Sequence, residues 1–98
     1  MKEATINEYG AVSAQAAEEM ARGGCRVLGA DICIADTGIA GPGGATNGKV
    51  VGLFYLGLSH RGKTSSQEHV FEGDREQNKR LAAETALNWL KEYLADLT

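Results

Sequence analysis

The sequence predicts an α/β fold with elements in the order helix, strand, strand, strand, helix. Two segments with apolar residues at helical spacing, residues 14–28 and 75–97, flank the middle of the chain. Between them, residues 50–58 are apolar at odd and even positions alike, as in a strand that is covered on both faces. A length of 98 residues allows one domain. We therefore expect a single domain, residues 1–98, with helices packed on a sheet.

The first helix is predicted to begin after Ser13, whose hydroxyl suits an N-cap, and to end at Gly29. Apolar residues at three- and four-residue spacing form the stripe that we expect to be buried. The stripe comprises Ala17, Met20, Ala21, Cys25 and Leu28. The pair Gly23-Gly24 within this helix indicates either a fraying last turn or a close contact of the helix with another element.

The strands are predicted at residues 32–35, 50–58 and 64–71, with a hairpin turn at residues 60–63. The third strand is much more polar than the second, which favours a place near a sheet edge. The last helix is predicted to begin after Asp74, with Gln77 as its capping-box partner. Its apolar side is expected to pack against the sheet. That side comprises Ala82, Ala83, Ala86, Leu87, Trp89, Leu90, Tyr93, Leu94 and Leu97.

Charge and composition argue against several classes of partner. With 10 basic and 13 acidic residues the net charge is −3, so we expect no nucleic-acid partner. The longest apolar stretch has nine residues, too few to span a bilayer, and the charged N-terminus does not resemble a secretory signal. We therefore expect a cytoplasmic protein without a membrane anchor. Cys25 and Cys33 lack metal-site spacing and are expected to be buried, reduced thiols, and we expect neither a metal nor an organic cofactor.

A glycine-rich segment, TGIAGPGG at residues 37–44, follows the first predicted strand. Ligand sites of open α/β sheets lie at such strand ends, and glycines let successive N–H groups point at an anion or an oxyanion. The alternative is an ordinary tight connection between strands. Neither nucleotide motif fits, because Val50 follows Gly48-Lys49 where a P-loop needs Ser or Thr, and no GxGxxG opens a helix. Arg75, at the start of the last helix, is a second candidate for binding an anion.

Five short motifs occur in order along the chain: GAVS at residues 10–13, LGAD at 28–31, TGIAGPGG at 37–44, VG at 51–52 and FEGDR at 71–75. With them the chain resembles the CinA C-terminal domain family (competence/damage-inducible protein CinA), also known as nicotinamide-nucleotide amidohydrolase, NMN deamidase or PncC. The resemblance implies a three-layer α/β/α fold with a mixed sheet, here in a shortened version. It also implies a hydrolase of a C–N amide bond that converts nicotinamide mononucleotide (NMN) to nicotinate mononucleotide and ammonia in pyridine-nucleotide salvage.

The resemblance also implies a substrate site. We expect the glycine-rich segment to contact the ligand or an oxyanion and the arginine to contact a phosphate. The predicted substrate-binding residues are Thr37, Gly38, Ile39, Ala40, Gly41, Pro42, Gly43, Gly44 and Arg75. Asp36 is a departure, since it puts a charge beside the predicted pocket where the family has a small or apolar residue.

The family's nucleophilic serine lies in an AESCTGG segment, and its activating residues lie in a YSNxxK segment; neither segment occurs in these 98 residues. We therefore predict no catalytic residue here and expect no turnover by this chain alone. The alternative is a non-catalytic nucleotide-binding or interaction module. Because two helices cover the sheet thinly and leave a strand edge unpaired, we expect a homo-oligomer or association with the missing part of the domain.

Overall fold

The computed structural model describes residues 10–39 and 50–97. Helix α1 spans Ala14–Leu28, strand β1 Ile32–Gly38, strand β2 Leu53–His60, strand β3 Lys63–Val70 and helix α2 Arg75–Asp96. This order of elements confirms the predicted helix, strand, strand, strand, helix. None of the described helices is long and apolar enough to cross a membrane.

The sheet has the order β1-β2-β3, and both pairs of strands are antiparallel. The parallel pairing of a mixed sheet is therefore not found among these three strands. Strand β1 is three residues longer than its apolar run predicted, because Asp36, Thr37 and Gly38 continue the pairing with β2. A turn of two residues, Arg61 and Gly62, joins β2 to β3 in the predicted hairpin.

The two helices lie on opposite faces of the sheet, which confirms the three-layer α/β/α arrangement. Gly57 of β2 lies against the backbone of α1, so the odd positions of that strand face α1. Leu56 and Leu58 then face the other side, where each is at most 1% exposed. On that side the Nδ1 atom of His60 lies 2.9 Å from the hydroxyl oxygen of Tyr93 in α2.

Helix α1 matches its predicted bounds and packs closely on the sheet. The Ser13 hydroxyl caps it by accepting a hydrogen bond of 3.1 Å from the N–H of Ala16. A Cβ atom on Gly24 would lie 2.6 Å from Cys33 Sγ, whereas one on Gly23 would meet nothing within 4 Å. Of the two interpretations of the glycine pair, close contact therefore applies to Gly24.

Part of the predicted α1 core is wrong. Leu28 is 75% exposed, because Cys25 already contacts Ser59 next to the end of β2, and the last turn of the helix lies beyond the sheet. Cys25 and Cys33 are free thiols, as predicted, but they are half-buried rather than fully buried.

Helix α2 begins with the predicted capping box between Asp74 and Gln77. Its predicted core stripe is confirmed in part. Ala82 is buried and four further members are half-buried: Ala86, Trp89, Leu90 and Tyr93. The other four are exposed: Ala83, Leu87, Leu94 and Leu97. The described sheet ends at β1, so Leu87 lies at its edge and is 59% exposed. The fully buried residues of α2 are Ala82, which was predicted, and Asn78, which was not.

Candidate functional site

A cleft of about 310 Å³ opens at one end of the sheet, where β1 ends and where β2 and α2 begin. Its lining residues are Asp36, Thr37, Gly38, Phe54, Arg75 and Lys79. Three residues that the sequence singled out, Thr37, Gly38 and Arg75, thus lie around one cleft, although Arg75 is far from the other two in the chain.

The ends of the glycine-rich connection are fixed beside this cleft. The N–H of Ile39 donates a hydrogen bond of 2.9 Å to the carbonyl oxygen of Leu53, and the N–H of Gly52 donates one of 2.6 Å to the carbonyl oxygen of Ile39. Ile39 itself is only 7% exposed. The backbone N–H of Ile39 is therefore already bonded to β2. It is not available as the donor for the ligand contact that the sequence predicted at Ile39.

The remaining residues predicted in this connection lie outside the described residues. They are Ala40, Gly41, Pro42, Gly43 and Gly44. Their ligand contacts stay predictions.

Hydrogen bonds bring four of the five motifs together at this end of the sheet. The Thr37 hydroxyl donates to the carbonyl oxygen of Ala11 at 2.8 Å, which joins the first strand to the segment that precedes α1. The N–H of Phe71 donates to the carbonyl oxygen of Gly52 at 2.9 Å, which joins the start of β2 to the segment that precedes α2. The LGAD motif at residues 28–31 lies at the opposite end of the sheet, before β1.

Asn78 holds the segment before α2 in place, and the sequence analysis missed it. Its side chain is fully buried; its Oδ1 atom accepts a hydrogen bond from the N–H of Gly73, and its Nδ2 group donates one to the carbonyl oxygen of Gly73, both at 3.0 Å. This pair of bonds fixes the turn that leads into Arg75. Asparagine is usually exposed in helices, so composition gives no signal for this role.

The charges around the cleft favour an anion. Arg75 and Lys79 are one helical turn apart on α2 and both line the cleft, opposite the single carboxylate of Asp36. Helix α2 also begins at this cleft, which adds the positive end of its helix dipole. Lys79 was not among the predicted site residues, although its spacing of four from Arg75 is the signal that finds it.

Among the described residues, neither histidine is hydrogen-bonded to a serine or a cysteine. His60 lies next to the Tyr93 hydroxyl, and His69 next to the Gln67 side chain. Burial, with a smaller contribution from neighbouring Cys25, raises the pKa of the Cys33 thiol and so disfavours its thiolate. Among residues 10–39 and 50–97, no group of three His, Cys, Asp or Glu side chains is placed to hold a metal ion.

Tyr55 is a further ionisable group on the α1 side of the sheet. Its hydroxyl donates a hydrogen bond of 2.6 Å to a carboxylate oxygen of Glu68 on β3. This bond, followed by partial burial, raises the pKa of Tyr55 above its ordinary value of 10.0. The phenol therefore stays protonated near neutral pH and is a hydrogen-bond donor rather than a base.

Fold and cleft together define an α/β/α domain with an anion-favouring cleft at the sheet end where both helices begin. The family model of the CinA C-terminal domain matches residues 1–94. The chain belongs to the CinA C-terminal domain family, as its motifs indicated.

Curated relatives and solved structures agree with this membership. The chain is 44% identical over 97 residues to a CinA-like protein of Syntrophotalea carbinolica, covering 99% of this chain and 24% of that protein. It is 45% identical over 91 residues to a CinA-like protein of Geobacter sulfurreducens, covering 93% of this chain and 22% of that protein. It therefore spans about a quarter of the length of these curated relatives.

A crystal structure of the competence damage-inducible protein A from Klebsiella pneumoniae superimposes with a TM-score of 0.92 at 36% identity. The match covers 96% of this chain and 58% of that chain. The competence/damage inducible protein from Agrobacterium tumefaciens gives a TM-score of 0.86 at 35% identity, covering 93% of this chain and 56% of that chain. The α/β fold is thus shared with solved members of the family.

Proposed function

We propose that the chain supplies the nucleotide-binding part of a nicotinamide-nucleotide amidohydrolase, with NMN as the ligand of the cleft. The observation that carries this proposal is the position of Arg75 and Lys79 opposite Thr37 and Gly38, at the point where α2 begins. Family membership supports it, because the motifs that meet at this cleft are those on which the resemblance to NMN deamidases rests.

In this proposal the phosphate of NMN binds to Arg75. A guanidinium group offers paired N–H donors that match phosphate oxygens, and helix N-termini favour the same charge. Lys79 contributes a second cation, one turn further along α2. The glycine-rich segment that begins at Gly38 then contacts the nicotinamide carboxamide through backbone N–H groups.

The reaction hydrolyses the carboxamide C–N bond of NMN, so that nicotinate mononucleotide forms and ammonia leaves. Such an acyl transfer needs a nucleophile, a base and N–H donors for the oxyanion. Within the described ranges, the Thr37 hydroxyl is bonded to a backbone carbonyl, and neither histidine is bonded to a serine or cysteine. We therefore propose that the chain by itself binds NMN and releases no ammonia. The second candidate function is a non-catalytic nucleotide-binding module.

Replacing Arg75 by alanine tests the phosphate assignment. We expect Arg75→Ala to weaken NMN binding by about tenfold or more, the usual effect of losing a charge-assisted hydrogen bond, and to leave nicotinamide binding unchanged. Isothermal titration calorimetry with both ligands measures the difference. Arg80→Ala is the matched control, because Arg80 is an exposed arginine of the same helix outside the cleft.

Equal losses of NMN and nicotinamide affinity would contradict the phosphate role of Arg75. Ammonia release from NMN, measured on the same chain, tests the proposal that the chain alone does not catalyse the reaction. Turnover would show that these 98 residues contain a nucleophile and would overturn the proposal of binding alone.

We further propose that the chain associates with a second copy of itself through the free edge of β1 and the neighbouring side of α2. In the described sheet this edge is unpaired, and beside it a groove of about 290 Å³ is lined by Ile34, Ala35, Ala83, Ala86 and Leu87, with Asp36 at its end. Unpaired strand edges and exposed apolar side chains both favour association.

Leu87→Glu is expected to shift this association toward the monomer, because it places a charge on the exposed apolar side of α2. Sedimentation velocity over a range of protein concentrations measures the shift. Asn88→Glu introduces the same charge at the next exposed position and should have little effect. A parent chain that stays monomeric at every concentration would rule out this association.

A further inference from the structure

A second cleft lies at the opposite end of the sheet, and it collects arginine side chains. It has a volume of about 330 Å³ and lies between the last turns of α1 and the turn that joins β2 to β3. The charged residues that line it are Arg22, Arg26, Asp31 and Arg61. Three positive charges thus face one carboxylate in a chain whose net charge is −3.

Of these arginines, Arg22 is linked to the Glu18 carboxylate through the Thr64 hydroxyl, and the other two have no carboxylate partner in the described part of the chain. Arg22 donates a hydrogen bond of 3.2 Å to the Thr64 hydroxyl, and neither Arg26 nor Arg61 forms an ion pair with another described residue. Like charges that share a small concave surface repel each other, and a bound anion relieves that repulsion. The cleft therefore has the electrostatic character of an anion site.

The three side chains come from two parts of the fold, helix α1 and the turn after β2. Arg22 and Arg26 are one turn apart on α1, and Arg22 is oriented by Thr64, whose hydroxyl donates in turn to Glu18 at 3.2 Å. Arg61 comes from the turn after β2, where its φ of 50° and the φ of 82° at Gly62 fix a tight reversal of the chain. Such a φ is uncommon for a residue with a side chain.

Helix stabilisation alone does not account for this arrangement. A cation in the last turn of a helix interacts favourably with the carboxyl end of the helix, which suffices to explain Arg26. Arg61 belongs to another element and gains nothing from that effect. The wall between them is fixed, since the Cys25 thiol donates to the carbonyl oxygen of Ser59 at 3.4 Å and ties α1 to β2.

We infer that this cleft binds a small phosphate-bearing anion through Arg22, Arg26 and Arg61, at a site separate from the NMN cleft. Guanidinium groups bind phosphate oxygens through paired N–H donors, and three of them around one cleft match a group with several charged oxygens. The chemical class is a phosphomonoester or a diphosphate. The inference stands independently of the proposed function, because the two clefts lie at opposite ends of the sheet.

The test is an NMR titration of the ¹⁵N-labelled chain with inorganic pyrophosphate at constant ionic strength. We expect saturable shifts of the amide signals of Arg26, Arg61 and Gly62. A parallel titration with NMN distinguishes a free diphosphate from a nucleotide phosphate as the source of the anion. Shifts confined to Gly38 and Arg75 would place the anion in the NMN cleft instead and overturn the inference while supporting the proposed function.

Two double variants with the same change of charge complete the test. Arg26→Gln with Arg61→Gln is expected to weaken pyrophosphate binding by at least roughly tenfold. Arg80→Gln with Lys91→Gln removes two exposed cations of α2 and should leave the affinity within about twofold. Equal weakening in both would show unspecific attraction to positive charge and overturn the inference. Arg61→Asn, which suits a positive φ, serves as a second variant if the double change disturbs the turn.

Discussion

The substitution Gly57→Ala adds a single methyl group and is expected to destabilise this domain strongly. A Cβ atom at this position would overlap the carbonyl group of Ala17 and lie 2.9 Å from the backbone nitrogen of Glu18. Both obstacles are main-chain atoms of α1, so no change of rotamer relieves the overlap. Helix and strand must separate, and we expect the free energy of unfolding to fall by ~3 kcal/mol or more.

Urea denaturation followed by circular dichroism measures this loss, and Gly23→Ala is the matched control. Gly23 lies in the middle of α1, and a Cβ atom there would meet nothing within 4 Å. Alanine at this position should therefore raise the stability by about 0.5–1 kcal/mol, since it favours the helix without a clash. Unchanged stability of Gly57→Ala would contradict the close packing of α1 on β2.

Asn78→Ala is expected to have the second largest effect, and to act on stability and on ligand binding together. The substitution removes both hydrogen bonds between the fully buried Asn78 side chain and Gly73, and leaves the half-buried backbone N–H of Gly73 without that partner. The loss of stability should be about 2–3 kcal/mol. NMN affinity should fall as well, because the turn that positions Arg75 is no longer held.

Thermal unfolding with and without NMN measures both effects of Asn78→Ala. Asn88→Ala is the control on the same helix, because Asn88 is exposed and its loss should change the stability by no more than about 0.5 kcal/mol. A destabilised Asn78→Ala variant with unchanged NMN affinity would show that Asn78 stabilises the fold without positioning Arg75.

Local signals in the sequence were enough to predict the helices and their caps. Ser13 and Asp74 cap the two helices through hydrogen bonds that span only three residues. The hairpin after β2 is equally local, since two turn residues define it. The ends of β1 and β2 were less predictable, because pairing between strands rather than apolar character extends β1 through Asp36 and Thr37.

The residues of the candidate site that belong to a motif could be predicted from the sequence. The residues that only tertiary packing brings to the site could not. Thr37, Gly38 and Arg75 come from motifs, and the structure places all three at one cleft. The spacing of Lys79 from Arg75 places both on one side of α2, but Lys79 reaches the cleft because α2 lies along the end of β1. Asn78 takes part because the helix buries that residue. The arginine cleft at the other end has no motif, since its residues come from a helix and a distant turn.

Patterns in the amino-acid sequence were sufficient to predict the class of fold, the order of its elements, their caps and, through the motifs, the family. These features depend on contacts between residues that are near in the chain or on patterns that persist along it. Only the tertiary structure decided which apolar residues are buried, as the exposed Leu28 and Leu87 show. Burial depends on which element lies opposite a side chain, and a helical stripe does not specify whether a strand is there to cover it.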